Sequence, residues 1–179
     1  CVGRTKDSYI VASETNALDL LKAEFLKEIG PGEGVILRPG SIEDFEWCSD
    51  GLWRSCVFDH GVYFSRPDSY FRGRSAKETR KTSGMFLARA HPVPHGDIVV
   101  PVPDSGNAPA EGYAEELCIP LRNAIIRSHF TGRTFIEPVV KLRHEYRGIK
   151  YNPIESDVRG MVVVVVDDSI VRGTTIPYI

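Results

Sequence analysis

The apolar positions change rhythm along the chain. In the first third, short apolar runs alternate with turn residues. Tyr9 to Ser13 (YIVAS) reads as a strand. Ala17, Leu18, Leu21, Phe25 and Ile29 recur near helical spacing, which predicts a helix over Glu14 to Ile29. Gly30, Pro31, Gly32 and Gly34 break it. GVILRPG (Gly34 to Gly40) and Ile42 to Trp47 predict a β-hairpin or meander, and Ser55 to Ser65 a further strand, its Val62-Tyr63-Phe64 run in the core. Together these predict an α+β unit with antiparallel strands.

After Arg66-Pro67-Asp68 the elements lengthen. Ser75 to Ala90 reads as a helix closed by His91-Pro92-Val93-Pro94. Asp97 to Pro103 (DIVVPVP) reads as a buried strand, and Asp104 to Asn107 as a loop. Pro109 to Leu117 reads as a helix with proline near its first turn, where the missing N–H costs nothing. Leu121 to Ser128 and Met161 to Asp167 read as strands, the second apolar on both faces. This order predicts a parallel sheet covered by helices. A long connection from His129 to Gly160, rich in Arg, Lys and Gly, predicts an active-site lid. A domain boundary falls near residue 66.

Composition narrows the class. The chain has 179 residues, 42% hydrophobic and 26% charged, with a formal net charge of −2. That balance gives no reason to expect nucleic acid or a membrane surface as partner. No apolar run reaches the length of about 18 residues that spans a bilayer, and no signal peptide is legible. The scattered cysteines Cys1, Cys48, Cys56 and Cys118 form no CxxC pair, which argues against zinc and for a reducing, cytoplasmic compartment. The chain lacks an initiator Met and its last residues enter a helix of which only Ile176 to Ile179 are present, so a fragment is expected.

The chemistry concentrates at two strand ends, where open parallel sheets bind ligands. One carries Pro103-Asp104-Ser105-Gly106-Asn107; the other runs from Asp167 to Thr175 as DDSIVRGTT. Gly173 permits close backbone approach, and Thr174 and Thr175 open a helix whose N-terminus suits a phosphate. This is not a P-loop, because no Gly-Lys-Ser/Thr is present. Asp167 and Asp168 would repel that phosphate, but they can accept sugar hydroxyls or face Mg²⁺. A ribose 5-phosphate with a metal nearby satisfies both halves. The alternative is that Asp167-Asp168-Ser169 merely caps a helix.

VVVVVDDSIVRGTT resembles the phosphoribosyl pyrophosphate (PRPP) motif of type I phosphoribosyltransferases. With VPDSG, HFTGRTFIEP and VYFSRPDS, in that family's order, the chain resembles the amidophosphoribosyltransferases. ASETNALD, Ala12 to Asp19, resembles the late part of their glutaminase domain. The resemblance implies a fold of two parts. Residues 1–65 would be the C-terminal α+β part of an N-terminal-nucleophile glutaminase domain. Residues 66–179 would be the first part of a type I phosphoribosyltransferase α/β domain with a parallel sheet. It also implies the reaction: glutamine-derived ammonia displaces pyrophosphate from PRPP to give 5-phosphoribosylamine, the committed first step of purine synthesis, catalysed by a pentosyltransferase.

Residue by residue, the resemblance implies that Asp167 and Asp168 hold the ribose hydroxyls and Mg²⁺. Ser169, Arg172, Gly173, Thr174 and Thr175 would cradle the 5-phosphate, and Ser105 would lie by Mg²⁺ in the pyrophosphate loop. Arg127 to Lys150 resembles the loop that closes over PRPP, with Arg133, Thr134 and Lys150 approaching the substrate. The common Lys-Asn-Arg-Tyr is here Arg127-Ser128-His129-Phe130, which keeps one charge and puts the other roles in doubt. Cys1 is not expected to be the glutaminase nucleophile, because Val2-Gly3-Arg4 leads straight toward ASETNALD; that cysteine would lie upstream. Some members hold a [4Fe–4S] cluster through four cysteines, and Cys56 falls where the first ligand lies; a buried structural cysteine is the alternative. The family is commonly oligomeric and inhibited by purine nucleotides. The isolated chain is expected to be inactive and to bind PRPP weakly or not at all. The rival readings are another type I phosphoribosyltransferase that uses a base, and a non-catalytic PRPP-binding regulator.

Overall fold

The computed structural model describes residues 1–48, 58–128 and 151–170, without the side chains of 58–60. The chain divides into two compact units, 1–79 and 80–179. The division falls later than the boundary expected from the sequence and lies inside one continuous helix.

In the first unit, β1 (Val2–Arg4) lies between β2 (Tyr9–Val11) and β3 (Glu24–Lys27) in an antiparallel sheet. The short helix α1 (Asn16–Leu20) folds onto it. Leu18, 1% exposed, lies so close over Gly3 that a β-carbon there would stand 2.8 Å from its side chain. Full burial of such a side chain stabilises by about 2 kcal/mol.

The helix expected to reach Ile29 therefore stops early. Lys22 takes a left-handed φ of 52°, and the Ala23 N–H donates to the Leu18 carbonyl at 2.9 Å. That closes the helix in the manner usually supplied by glycine. The next residues satisfy their backbone groups on β1, with Arg4 opposite Glu24 and Gly3 opposite Phe25. Phe25 stays half exposed, so its helical spacing from Leu21 reflects no buried stripe.

The expected hairpin forms as β4 (Glu33–Arg38) and β5 (Ser41–Glu46). Pro39 and Gly40 make the turn, Gly40 with a φ of 79°. The strand expected over Ser55 to Ser65 is corrected where it is described: Phe58–Phe64 is a π-helical segment. A short apolar run does not distinguish strand from helix by periodicity alone. Its Tyr63 and Phe64 are exposed and pack edge to face on each other, outside the core.

In the second unit, β8 (Ile98–Pro101) is buried throughout and pairs in parallel with β11 (Val163–Val166), Val163 opposite Ile98 and Val166 opposite Pro101. Between these come α3 (Asn107–Leu117), β9 (Ile125–Arg127), β10 (Tyr151–Pro153) and α4 (Glu155–Val158). Earlier in the chain, β6 (Tyr70–Phe71) and β7 (Arg74–Ser75) belong to the first unit, and the division falls within α2 (Ala76–Ala90).

Both faces of β8 are covered. Val99 packs with Ala88, Ala110, Tyr113, Ala114 and Val166; Ile98 and Val100 pack with Ala124 and Ile125. Helices α2 and α3 approach through glycine. A β-carbon on Gly84 would lie 1.9 Å from the Pro109 carbonyl, and one on Gly112 would lie 1.9 Å from the Lys81 carbonyl. Tyr113 fixes the exit of α2: its hydroxyl donates to the His91 carbonyl at 2.9 Å and accepts from the Val93 N–H at 3.1 Å.

Two further expectations change. Leu121 makes only a single parallel bridge to Val99, and β9 pairs antiparallel with β10. Nearby in sequence, Val162 and Val165 are exposed, so the valine run is not buried on every position.

Candidate active site

A parallel register places the carboxyl ends of β8 and β11 side by side, and with them the two polar loops. The Val102 N–H donates to the Val166 carbonyl at 2.9 Å, extending the pairing one step beyond the strands. The Gly106 N–H then donates back to the Val102 carbonyl at 2.9 Å. A β-carbon on Gly106 would meet the Val102 and Val166 carbonyl oxygens, each at 2.6 Å. Glycine is what lets this loop lie on the end of β11 before α3 begins. No side chain caps the N-terminus of α3, which suits an anion. The Pro103–Asp104 peptide is cis. Ser105 is half-buried in this loop.

On the β11 side, Asp167, Asp168 and Ser169 are all half-buried. The Asp168 N–H donates to Asp167 Oδ1 at 2.8 Å, and the Ser169 hydroxyl donates to Asp168 Oδ1 at 3.0 Å. Asp168 Oδ2 is buried and, among the described residues, accepts no hydrogen bond. A carboxylate oxygen withdrawn from water normally has a partner, and its lack is costly. Such an oxygen fits a ligand hydroxyl or a cation. Among the described residues, the Asp168 side chain accepts from Ser169 and has one oxygen to spare.

The geometry adds contacts that motif reading did not give. Arg127, at the end of β9, forms an ion pair with Asp104 in the β8 loop. Directly opposite Arg127 across the β9–β10 pair is Tyr151. Burial pushes the Tyr151 phenol above its ordinary value; the nearby charge of Asp167 adds to this, Arg127 opposes it, and Asp104 and Asp168 add smaller contributions. Asp104, Arg127, Tyr151, Asp167 and Asp168 thus form one electrostatic group. The only sequence signal for Asp104 was its adjacency to Ser105. Tyr151 had none, because its place depends on an antiparallel register.

Arg133, Thr134, Lys150, Arg172, Gly173, Thr174, Thr175 and Cys56 fall outside the described residues, as does most of the expected lid. The described end of that connection is ordered as β10 and α4. Cys1 is half-buried beside β1, its thiol donating to the Ala12 carbonyl at 3.4 Å. VYFSRPDS and ASETNALD meet each other within the first unit. Glu14 Oε2 accepts from the Arg66 N–H at 3.0 Å and from the Ser69 hydroxyl at 2.7 Å. Thr15 Oγ1 accepts from the Tyr70 N–H at 2.8 Å.

For a metal, no group of three or more His, Cys, Asp or Glu is assembled among the described residues. Mg²⁺ does not require one, since it commonly takes one or two carboxylates and completes its shell with water and substrate oxygens. The unpartnered Asp168 oxygen beside Asp167 fits that mode. An iron–sulfur cluster needs four thiolates; the described cysteines Cys1, Cys48 and Cys118 are free and do not supply such a set. Among the described residues no helix is long and apolar enough to cross a membrane.

Fold and site define a mixed α/β protein with an acidic pair and an uncapped helix N-terminus at adjoining parallel strand ends. No family model matches the chain. It is 43% identical over 175 residues to an amidophosphoribosyltransferase of Archaeoglobus fulgidus, covering 98% of this chain and 38% of that protein. It is 44% identical to the Rhizobium etli amidophosphoribosyltransferase, covering 97% of this chain and 36% of that protein. A solved structure of glutamine PRPP amidotransferase from B. subtilis, complexed with ADP and GMP, superposes with a TM-score of 0.83 at 41% identity, over 97% of this chain and 38% of that one. Another, described as the allosteric regulatory enzyme of purine biosynthesis, gives a TM-score of 0.84 at 41% identity, over 97% of this chain and 37% of that one. The chain belongs to the amidophosphoribosyltransferase family, and it spans under two fifths of the length of these relatives.

Proposed function

We propose that this chain carries the PRPP-binding core of an amidophosphoribosyltransferase. The observation that carries the reading is the buried Asp168 oxygen that accepts no hydrogen bond among the described residues, just past β11 in a chain of this family. Asp167 and Asp168 accept the ribose hydroxyls, and with Ser105 they would hold Mg²⁺. When bound, Mg²⁺ offsets negative charge on the leaving pyrophosphate. The uncapped start of α3 favours the same anion. Ser169, with Arg172, Gly173, Thr174 and Thr175, takes the 5-phosphate; Arg133, Thr134 and Lys150 approach from the closing loop. In the reaction, the ammonia lone pair forms the C1–N bond as the C1–O bond breaks. Pyrophosphate departs with that electron pair, and a proton leaves the new amine for solvent. Arginine and lysine suit the leaving group by fork and by point charge.

The remaining assignments rest on family membership. Residues 1–65 would end a glutaminase domain that supplies ammonia, and 66–179 would begin the phosphoribosyltransferase domain. Purine nucleotides would inhibit the whole enzyme, in keeping with the nucleotide complex of the B. subtilis relative. The whole enzyme would be a homo-oligomer. A reducing, cytoplasmic compartment belongs to the same proposal.

The test supplies the full-length protein with PRPP, Mg²⁺ and ammonia and follows pyrophosphate release. A purine base or orotate replaces ammonia in parallel. Release with ammonia alone supports the proposal. Release only with a base makes the protein a base-using phosphoribosyltransferase, and PRPP binding without turnover makes it a regulator.

A further inference from the structure

We infer that Arg127 is a positioning residue that holds the Asp104 carboxylate away from the anion-receiving end of α3, so that the loop between β8 and α3 meets pyrophosphate without an unpaired negative charge. The inference rests on the function proposed above and deepens it.

The loop puts a carboxylate where an anion is to be received. Pro103-Asp104-Ser105-Gly106-Asn107 carries one charged side chain, Asp104, and no acidic residue stands in the first turn of α3. Asp104 lies just ahead of Gly106, the residue at the cap position of that helix, which no side chain caps. A helix N-terminus attracts negative charge, and aspartate is among the side chains that readily turn onto one. Asp104 and pyrophosphate are therefore rivals for the same end of α3. Left unpaired, the carboxylate would repel the ligand or take its place.

The fold turns Asp104 elsewhere. Its carboxylate is hydrogen-bonded and ion-paired to the Arg127 guanidinium. That cation comes from a separate strand whose backbone is fixed. Ala124 and Ile125 are buried with Ile98 and Val100, and Arg127 is in register with Tyr151 across the β9–β10 pair. The loop is fixed as well. The Gly106 N–H donates to the Val102 carbonyl at 2.9 Å, and the Asn107 N–H to the Asp104 carbonyl at 3.4 Å. Two supported segments thus present opposite charges to each other.

Magnitude decides what the pair is for. The Arg127 and Asp104 side chains are 37% and 62% exposed. A pair so open to water contributes about 0–1 kcal/mol to stability, so fastening the fold is a minor use for it. Cancelling a charge beside a multiply charged anion is a larger one, because the repulsion grows with the charge of the ligand.

The experiment varies Mg–PRPP at saturating ammonia in the full-length protein, in Arg127→Gln, and in Arg127→Gln combined with Asp104→Asn. Arg127→Gln should raise the KM for PRPP about fivefold at low salt, the scale of one partly screened charge, with kcat within about twofold. The rise should shrink as salt is added. Adding Asp104→Asn should bring the KM back to within about twofold of the unaltered protein, since the charge that Arg127 cancelled is gone. A double variant as impaired as Arg127→Gln assigns Arg127 to direct contact with PRPP and overturns the inference. So does an unchanged KM in Arg127→Gln, with or without a fall in thermal midpoint. If the unaltered protein releases no pyrophosphate, the proposed activity fails. Calorimetric titration of Mg–PRPP onto the three proteins then decides Arg127 separately: binding weakened by Arg127→Gln and restored in the double variant supports the inference, and any other pattern, absence of binding included, overturns it.

Discussion

Glu14 and Asp168 are both half-buried carboxylates in motifs that stand out in the sequence, and the two regions use them in opposite ways. In the first unit, one oxygen of Glu14 accepts two hydrogen bonds and ties ASETNALD to SRPDS. Thr15 and Glu28 add further anchors, on the N–H groups of Tyr70 and Arg72. In the second unit, one oxygen of Asp168 accepts none among the described residues. The contrast teaches that a motif can mark a joint of the fold or a ligand site, and that satisfaction of its buried polar groups tells them apart. A satisfied carboxylate stabilises the protein by itself. An unsatisfied one costs stability until a ligand arrives.

The sharpest test of this contrast is Asp168→Asn. Pyrophosphate release should fall by about 100-fold or more, on the scale of losing one preorganised charge-stabilising group. The thermal midpoint should hold or rise, because an unpartnered buried charge has been removed. A large fall in midpoint would make Asp168 a structural residue like Glu14 and break the comparison.

Next in size is the helix contact in the second unit. Gly84→Ala or Gly112→Ala drives a methyl into a backbone carbonyl 1.9 Å away. Overpacking of this kind should destabilise by about 2 kcal/mol or more, outweighing alanine's better helix propensity. Chemical denaturation of each variant measures it. A neutral result would mean that α2 and α3 separate easily, and that the scaffold under the site is soft.

Glu14→Ala should destabilise by about 1–3 kcal/mol, since it leaves the buried Ser69 hydroxyl without this acceptor and removes the tie to the Arg66 N–H. The kcat of protein that remains folded should not change. A kcat loss without a stability loss would move the first-unit joint into the active site.

The smallest effect concerns pH. A forked hydrogen bond from Arg89 holds the Glu116 carboxyl below its ordinary value of 4.5; loss of solvent opposes it, and the guanidinium charge adds a smaller pull in the same direction. Its contribution to stability is present above the unfolded value and is lost as pH falls through the depressed one. A modest extra drop in thermal midpoint should appear below that ordinary value and vanish in Glu116→Gln. Exposed pairs contribute little, so persistence of the drop in the variant would assign it to other carboxylates.

Much of the candidate site was legible because its signals are local. An apolar strand, two aspartates and a glycine-bearing loop each announce themselves within a few residues. Asp104 and Arg127 were present in the same stretches, but their ion pair needed β8 and β9 to be brought together. Tyr151 was not legible, since nothing in its neighbours gives the register that sets it against Arg127.

The same division holds for the fold. The sequence by itself determined the Pro39–Gly40 hairpin, α2, α3, β8 and β11, because turn chemistry and hydrophobic period are properties of neighbouring residues. It also put both polar loops at the ends of β8 and β11, which pair in parallel. Tertiary structure decided that Glu24–Lys27 pairs with β1 instead of extending a helix, that Phe58–Phe64 coils, and that β9 runs antiparallel to β10. In each case a short segment is compatible with two conformations. The partner that satisfies its backbone hydrogen bonds lies far away in sequence, so long-range pairing makes the choice.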